Sequence, residues 1–191
     1  VDQTTNRAKR IGAINIIRRE KSGKLLGDMT DGLGFISALQ LNGLSVTGKN
    51  IGLIGGGGAG SAIADAIAEA NAKHLSIVEI DPIKRDMLIS KLKKQYPTLS
   101  LDNAINHPEN IDILINSSPI GMNSYDPLPI SLAEFRSKIM VADSITEPNF
   151  TPFLRHAKNN GCFIQKGNEM ADAQLPIFID FLGIPSDKVS P

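Results

Sequence analysis

The chain has 191 residues, 41% of them hydrophobic, and carries 20 basic and 20 acidic side chains, so its formal net charge at neutral pH is zero. That balance leaves no field to attract a polyanion, and with no basic run interleaved with aromatics it excludes a nucleic-acid-binding function. The lone cysteine, Cys162, excludes an intrachain disulfide. No Cys/His cluster has metal-ligand spacing, no apolar run approaches the roughly 20 residues that span a bilayer, and "VDQTTNRAKR" is too polar for a signal peptide, so the expectation is a cytoplasmic protein with no metal and no membrane or nucleic-acid partner.

In chain order, "GAINIIRREKSGKLLGDMTDG" reads as two short strands around a turn at Ser22-Gly23. "DGLGFISALQLNG" reads as a helix that Asp31 can cap and Gly43 ends. "NIGLIG" is then a buried strand and "GSAIADAIAEANA" a helix of small residues. "LSIVEI" follows as a strand, Ile83 to Tyr96 as a helix, and "LSL", "IDILINSSP" and "KIMVADSI" as three further strands. "TPFLRHAKNNG" is helical, "CFIQKG" a last strand, and "NEMADAQLPIFIDFLGI" a final amphipathic helix. Strands alternating with helices predict an α/β fold of Rossmann type, a doubly wound parallel sheet with helices on both faces. His74, His107 and His156 fit no triad and read as surface residues, and Cys162 reads as a buried strand residue.

Gly55, Gly57 and Gly60 satisfy G-x-G-x-x-G between a strand and a helix. The first glycine permits the tight turn, the second lets a pyrophosphate approach the backbone, and the third allows close helix–strand packing. The turn, with Gly58 and Ala59 at the helix start, presents unpaired amides and the positive end of the helix dipole to phosphates. About 20 residues on, "VEIDP" supplies Glu79 or Asp81 for the hydroxyls of an adenosine ribose, and either carboxylate would repel a 2′-phosphate. NAD is therefore the expected cofactor, with NADP as the second option because Lys84 and Arg85 lie close by.

The runs "GAIN", "GDMTDGLGF", "GGGGAGSAI", "INSSPIGM", "DSITEPNFTPFL" and "GNEMADAQ" together cover nearly the whole chain. In order and spacing they resemble the shikimate/quinate dehydrogenase family. The resemblance implies two lobes around a cleft. It also implies reversible hydride transfer between a nicotinamide cofactor and a ring hydroxyl of a polyhydroxylated carboxylate such as shikimate or quinate. Residues 1–31 and 168–191 would then be what is present of the substrate lobe, and residues 32–167 the dinucleotide-binding domain. By the same resemblance Asn15 and Gln174 bind substrate hydroxyls, and Asp31 holds the reacting hydroxyl beside a catalytic lysine. Ser117, Ser118 and Pro119 would form a turn near the nicotinamide ribose, and Gly167 and Met170 would flank the nicotinamide ring.

The family's stretch with the catalytic lysine has no counterpart here, and Lys9 lies too near Gly12 to replace it. Met29 stands where the family has an asparagine, which would remove a polar group from the cleft, and Thr146 stands where it usually has a tyrosine. These departures point to a divergent branch, whose partners would be a polyol carboxylate and either a separate N-terminal segment or a second copy of the chain. The alternative reading is a non-catalytic dinucleotide-binding sensor, and a minor one is an enzyme similar to methylene-tetrahydrofolate dehydrogenase.

Overall fold

The polar N-terminal stretch, with too little apolar periodicity to signal an element, forms two. They are strand β1 (Gln3–Thr4) and helix α1 (Asn6–Ile11) in a structure, a computed structural model, that describes residues 1–133 and 135–185. Thr5 caps α1 by accepting from the Ala8 N–H, and Gly12 closes it in the left-handed region. A helix this short is unstable alone. It is held by Ala8 and Ile11, which pack with Met29 and Ala62. Strands β2 (Ile16–Arg19) and β3 (Leu25–Asp28) form the expected antiparallel hairpin, and β1 joins β3 in parallel to give a three-stranded sheet ordered β1-β3-β2.

After α2 (Asp31–Leu41) the alternation sets in. It runs β4 (Asn50–Ile54), α3 (Gly58–Glu69), β5 (His74–Val78), α4 (Pro82–Gln95), β6 (Ser100–Asp102), β7 (Ile113–Asn116), β8 (Met140–Asp143), α5 (Pro152–Asn159), β9 (Phe163–Gln165) and α6 (Gly167–Leu182). The six strands β4 to β9 form one parallel sheet ordered β6-β5-β4-β7-β8-β9. The order reverses after β6, where the chain returns to the other side of β4. The carboxyl ends of β4 and β7 therefore border the crevice in which open α/β sheets place their ligands.

Alternate strand residues point to two cores. Leu53, Leu75, Ile77 and Ile115 face a core shared with α2, α3, α4 and α6. Ile54, Leu114 and Val141 face Phe153 and Leu154 of α5 together with Ile111, Leu132 and Ile139 from loops. Among the described residues helices thus lie on both faces, four on one and a single helix with loops on the other. Among the described residues, the connection from β7 to β8 contains no helix. Cys162 is not a strand residue. It precedes β9, half-buried, and that burial pushes its thiol upward. His107 and His156 are exposed, whereas His74 opens β5 half-buried and bonds Ser76 and Ser100.

A partly buried ion pair fastens α1 to the larger sheet's helices. The Arg10 guanidinium grips Asp65 of α3 with two N–H groups, Nε at 2.8 Å from Oδ1 and Nη2 at 2.7 Å from Oδ2. The Tyr96 hydroxyl donates to the same carboxylate at 3.0 Å. Asp65 is only 5% exposed, so these donors take the place of water around its oxygens. Its contact in turn holds the Arg10 guanidinium charged, while burial and the Asp65 charge push the Tyr96 phenol up. Removing one partner from such a pair strands the others. Asp65→Ala is expected to lower stability in urea denaturation by about 3 kcal/mol. Tyr96→Phe, which removes a single hydrogen bond, should cost only about 1 kcal/mol.

Candidate functional site

Strand β4 ends at Ile54, and the chain must turn sharply to enter α3. Gly55 makes that turn at φ +95°, a conformation strained for any other residue, with its N–H bonded to the Val78 carbonyl at 2.8 Å. A Cβ at Gly55 would stand 2.7 Å from the Ser117 backbone, and one at Gly60 would stand 2.2 Å from the Gly55 carbonyl oxygen. These two glycines are required by the protein's own packing. Gly57 and Gly58 are not, because a Cβ at either would meet no protein atom within 4 Å. Gly57 is also the N-cap of α3 and supplies no side-chain acceptor. The helix therefore begins with uncapped N–H groups at Gly58 and Ala59 beside open space, a fit for a phosphate.

Glu79, just beyond β5, lies directly against this turn. Its Oε2 accepts the Gly56 N–H at 2.6 Å and its Oε1 the Asp81 N–H at 3.0 Å. Partial burial pushes the carboxyl up, but the backbone N–H groups of Asp81, Gly56 and Ile80 and the Lys84 charge outweigh it and hold it below its ordinary range. A carboxylate has capacity for further donors beyond two. Asp81 is used differently: it caps α4, accepting the Ile83 and Lys84 N–H groups at 2.9 and 3.2 Å. Of the two acidic candidates, Glu79 is the one bonded to the glycine turn. Lys84 lies 3.9 Å from Asp81, and Arg85 pairs with Asp86.

Across the crevice, Ser117, Ser118 and Pro119 leave β7. The Ser117 hydroxyl is spent on the carbonyls of Ile54 and Gly55, at 3.0 and 2.8 Å. The Ser118 hydroxyl donates to Asn116 Oδ1 at 2.7 Å. Both hydroxyls thus shape the turn, and what it offers a ligand is mainly backbone.

Helix α6 joins this crevice to a second polar group. Gly167, Met170 and Gln174 follow an i, i+3, i+7 spacing and share one helix face. A Cβ at Gly167 would lie 2.2 Å from the Ile145 carbonyl oxygen, so the helix start is pressed onto the chain leaving β8. Met170 is 6% exposed and packs in the large core. Gln174, equally buried, donates through Nε2 to Thr30 Oγ1 at 2.8 Å and to Asp31 Oδ1 at 3.0 Å. Asn15 reaches the same oxygen through Nδ2 at 2.5 Å, and its Oδ1 accepts the Thr30 N–H at 3.0 Å. Asn15, Asp31 and Gln174 are thus one hydrogen-bonded cluster.

Two expectations need correction. Asp31 is not the cap of α2: that position is Thr30, which makes no side-chain cap bond, and Asp31 is the first helical residue with its carboxylate turned to the two amides. Met29 does not face the cleft. It is 3% exposed and packs under α1 with Ala8, Ile11 and Ala62. Thr30, buried at the centre of the cluster, carried no signal in the sequence, since threonine before a helix is common as a simple cap. Also unforeseen are Asn116, Asp143 and Thr151, all fully buried and mutually hydrogen-bonded behind the Ser117–Pro119 turn. Among the described residues no helix is long and apolar enough to cross a membrane, and no group of His, Cys, Asp or Glu is arranged to hold a metal.

No family model matches the chain. A shikimate dehydrogenase (NADP(+)) of Bacillus cereus strain AH187 is 34% identical over 174 residues, 89% of this chain and 62% of the relative. A ligand-free 5-ketofructose reductase of Gluconobacter sp. strain CHM43 is 32% identical with a TM-score of 0.84, over 95% of this chain and 67% of that one. The chain belongs to the shikimate/quinate dehydrogenase family. Shikimate 5-dehydrogenase of Thermus thermophilus, solved with NADP(H) and shikimate, is 26% identical with a TM-score of 0.83, over 95% of this chain and 66% of that one. The six-stranded parallel sheet is the Rossmann-like fold of this family. The chain spans 62% of the length of the curated relatives it matches.

The glycine geometry separates packing from ligand space in a way stability measurements can read. Gly60→Ala should cost about 2 kcal/mol and lower Tm by roughly 4–8 °C through overpacking. Gly58→Ala, which meets only open space at the first helical position, should leave Tm unchanged or slightly higher.

Proposed function

We propose that this chain carries the cofactor-binding part and a share of the substrate site of a nicotinamide-dependent oxidoreductase that interconverts a ring alcohol and ketone on shikimate, quinate or a related polyol. The observation that carries the reading is the meeting of Asn15 and Gln174 on one oxygen of Asp31, residues drawn from three separate segments. A carboxylate flanked by two carboxamides offers an acceptor and several donors at one point, as recognition of adjacent hydroxyls requires. Residues 1–31 and 168–185 would form the substrate side and residues 32–167 the dinucleotide side, with residues 186–191 of the expected substrate segment outside the described residues.

When bound, the cofactor would supply the hydride acceptor or donor at the nicotinamide ring. Gly57, Gly58 and Ala59 would hold its pyrophosphate through backbone N–H groups, and Glu79 its adenosine ribose. The Ser117–Pro119 turn would lie against the nicotinamide ribose. Gly167, held on Ile145, would present the start of α6 to the ring, and Met170 would fix that helix from the core. Asp31 would accept the reacting hydroxyl's proton in a hydrogen bond and hold the hydroxyl in line. The family's lysine is the general base to which the resemblance assigns the proton, so full turnover is proposed for an assembly in which an N-terminal segment supplies such a group.

Glu79 also supports a preference for NAD over NADP, because its ionised carboxylate would face a 2′-phosphate. Titration calorimetry should give NAD a Kd about tenfold below that of NADP. Glu79→Gln, which removes the charge, should narrow the gap chiefly by tightening NADP, and equal affinities in the unaltered protein would overturn the preference. Gly57→Val should keep the fold yet raise the NAD Kd about a hundredfold by filling the phosphate space. Shikimate or quinate added to the NAD complex should release a further binding heat that Asp31→Ala abolishes, and its retention in that variant would remove Asp31 from the substrate site.

A further inference from the structure

The Ser117–Pro119 turn is held by a chain of hydrogen bonds that is anchored at its far end on one buried carboxylate. Asp143, at the end of β8, is 0% exposed, and it accepts from Asn116 Nδ2 at 3.2 Å, the Ile145 N–H at 3.1 Å and Thr151 Oγ1 at 2.8 Å. Asn116, at the end of neighbouring β7, is equally buried. Its Nδ2 also donates to the Ile120 carbonyl at 3.0 Å, while its Oδ1 accepts the Ser118 N–H at 3.1 Å and the Ser118 hydroxyl at 2.7 Å. The Ser118 hydroxyl in turn accepts the Ile120 N–H at 3.3 Å.

A carboxamide has two nearly isosteric ends, and rotating Asn116 by half a turn would set its NH₂ against the Ser118 N–H, donor against donor. Burial pushes the Asp143 carboxyl up, against the Ile145, Thr151 and Asn116 donors that it accepts; with the Ile120 carbonyl it holds Asn116 Nδ2 toward β8 and leaves Oδ1 for the Ser118 N–H. Thr151 closes the other end: its oxygen accepts the Leu154 N–H as the cap of α5, which leaves its proton for Asp143. We propose that Asp143 is a positioning residue for cofactor binding, acting through Asn116 to hold the Ser117–Pro119 turn in the shape that meets the nicotinamide half of the dinucleotide. The proposal rests on the reading of that turn as a cofactor contact.

Asp143→Leu is the direct variant, since it keeps a similar size but removes the acceptor used by Asn116 Nδ2; an asparagine could keep its oxygen on Asn116 and Ile145 and turn its NH₂ to Thr151 Oγ1. NAD is titrated as the ligand that reaches the turn, and ADP as one that reaches only the glycine turn and Glu79. With folding first checked by circular dichroism at the titration temperature, Asp143→Leu is expected to weaken NAD about fivefold or more and to leave ADP within about twofold. Asn116→Asp, which breaks the same contact from β7, should give the same pattern and serves if the first variant does not fold. Thr151→Val leaves Asp143 an acceptor facing Asn116, so it should lower Tm through the lost α5 cap yet keep the NAD Kd within about twofold.

Unchanged NAD affinity in Asp143→Leu, equal weakening of NAD and ADP, or a Thr151→Val effect on NAD as large as that of Asp143→Leu would each overturn the positioning role. The underlying reading has its own control. If the unaltered protein binds ADP as tightly as NAD, the turn is not a cofactor contact and the proposal falls with it. If NAD is favoured and Asp143→Leu is silent, only the positioning role is lost.

Discussion

Backbone lies directly on backbone where the turn after β4 meets the chain leaving β7, and the spacing of the candidate site follows from that contact. Gly55 and Gly60 leave no room for a Cβ between the turn, the start of α3 and the Ser117 backbone. The Ser117 hydroxyl then ties the two together on the carbonyls of Ile54 and Gly55. With the floor of the crevice fixed in this way, the first turn of α3 must emerge with its uncapped N–H groups facing outward, beside Glu79 on one side and the Ser117–Pro119 turn on the other. Such a surface is arranged before any ligand arrives, so little ordering remains to be done on binding.

Helix α6 carries that order to the second polar group. Its first residue is pinned to the Ile145 carbonyl at the sheet edge, and two turns later Gln174 reaches Asp31 at the start of α2. Asn15, delivered by the chain before β2, completes the group. The distance between the glycine turn and the Asp31 cluster is thus set by one rigid helix and the packing of α2 against it. The partly buried Arg10–Asp65 pair performs a similar service for α1, which has little apolar surface of its own.

How much of this could be read in the sequence depends on the kind of signal each residue leaves. Strand before, glycines between and helix after is a local pattern, so the crevice and its turn were legible from residues 50–69 alone. The alternation of apolar strands with helices likewise fixed the parallel sheet. Asn15, Asp31 and Gln174 are different: nothing within the chain relates positions so far apart, and only the family resemblance joined them. Helix α1 was illegible because its stability comes from Asp65, Met29 and Ala62, all distant in sequence. Asn116 and Asp143 end strands as solvent-facing turn residues also do. Their complete burial arises from loops and α5 folding over them, which no local pattern announces. The position of Met29 in its motif does not reveal which way the side chain faces, and here α1 covers it.

The central claim is that the uncapped start of α3 holds the pyrophosphate of a nicotinamide dinucleotide. Amide chemical shifts of the isotope-labelled chain, followed during NAD addition, test it most directly. The account predicts the largest saturable changes at Gly57, Gly58 and Ala59, with further changes at Glu79 and in Ser117 and Ser118. Saturable changes that leave Gly57 to Ala59 unmoved, or no change at millimolar NAD, would contradict it and leave the glycine turn a packing device alone.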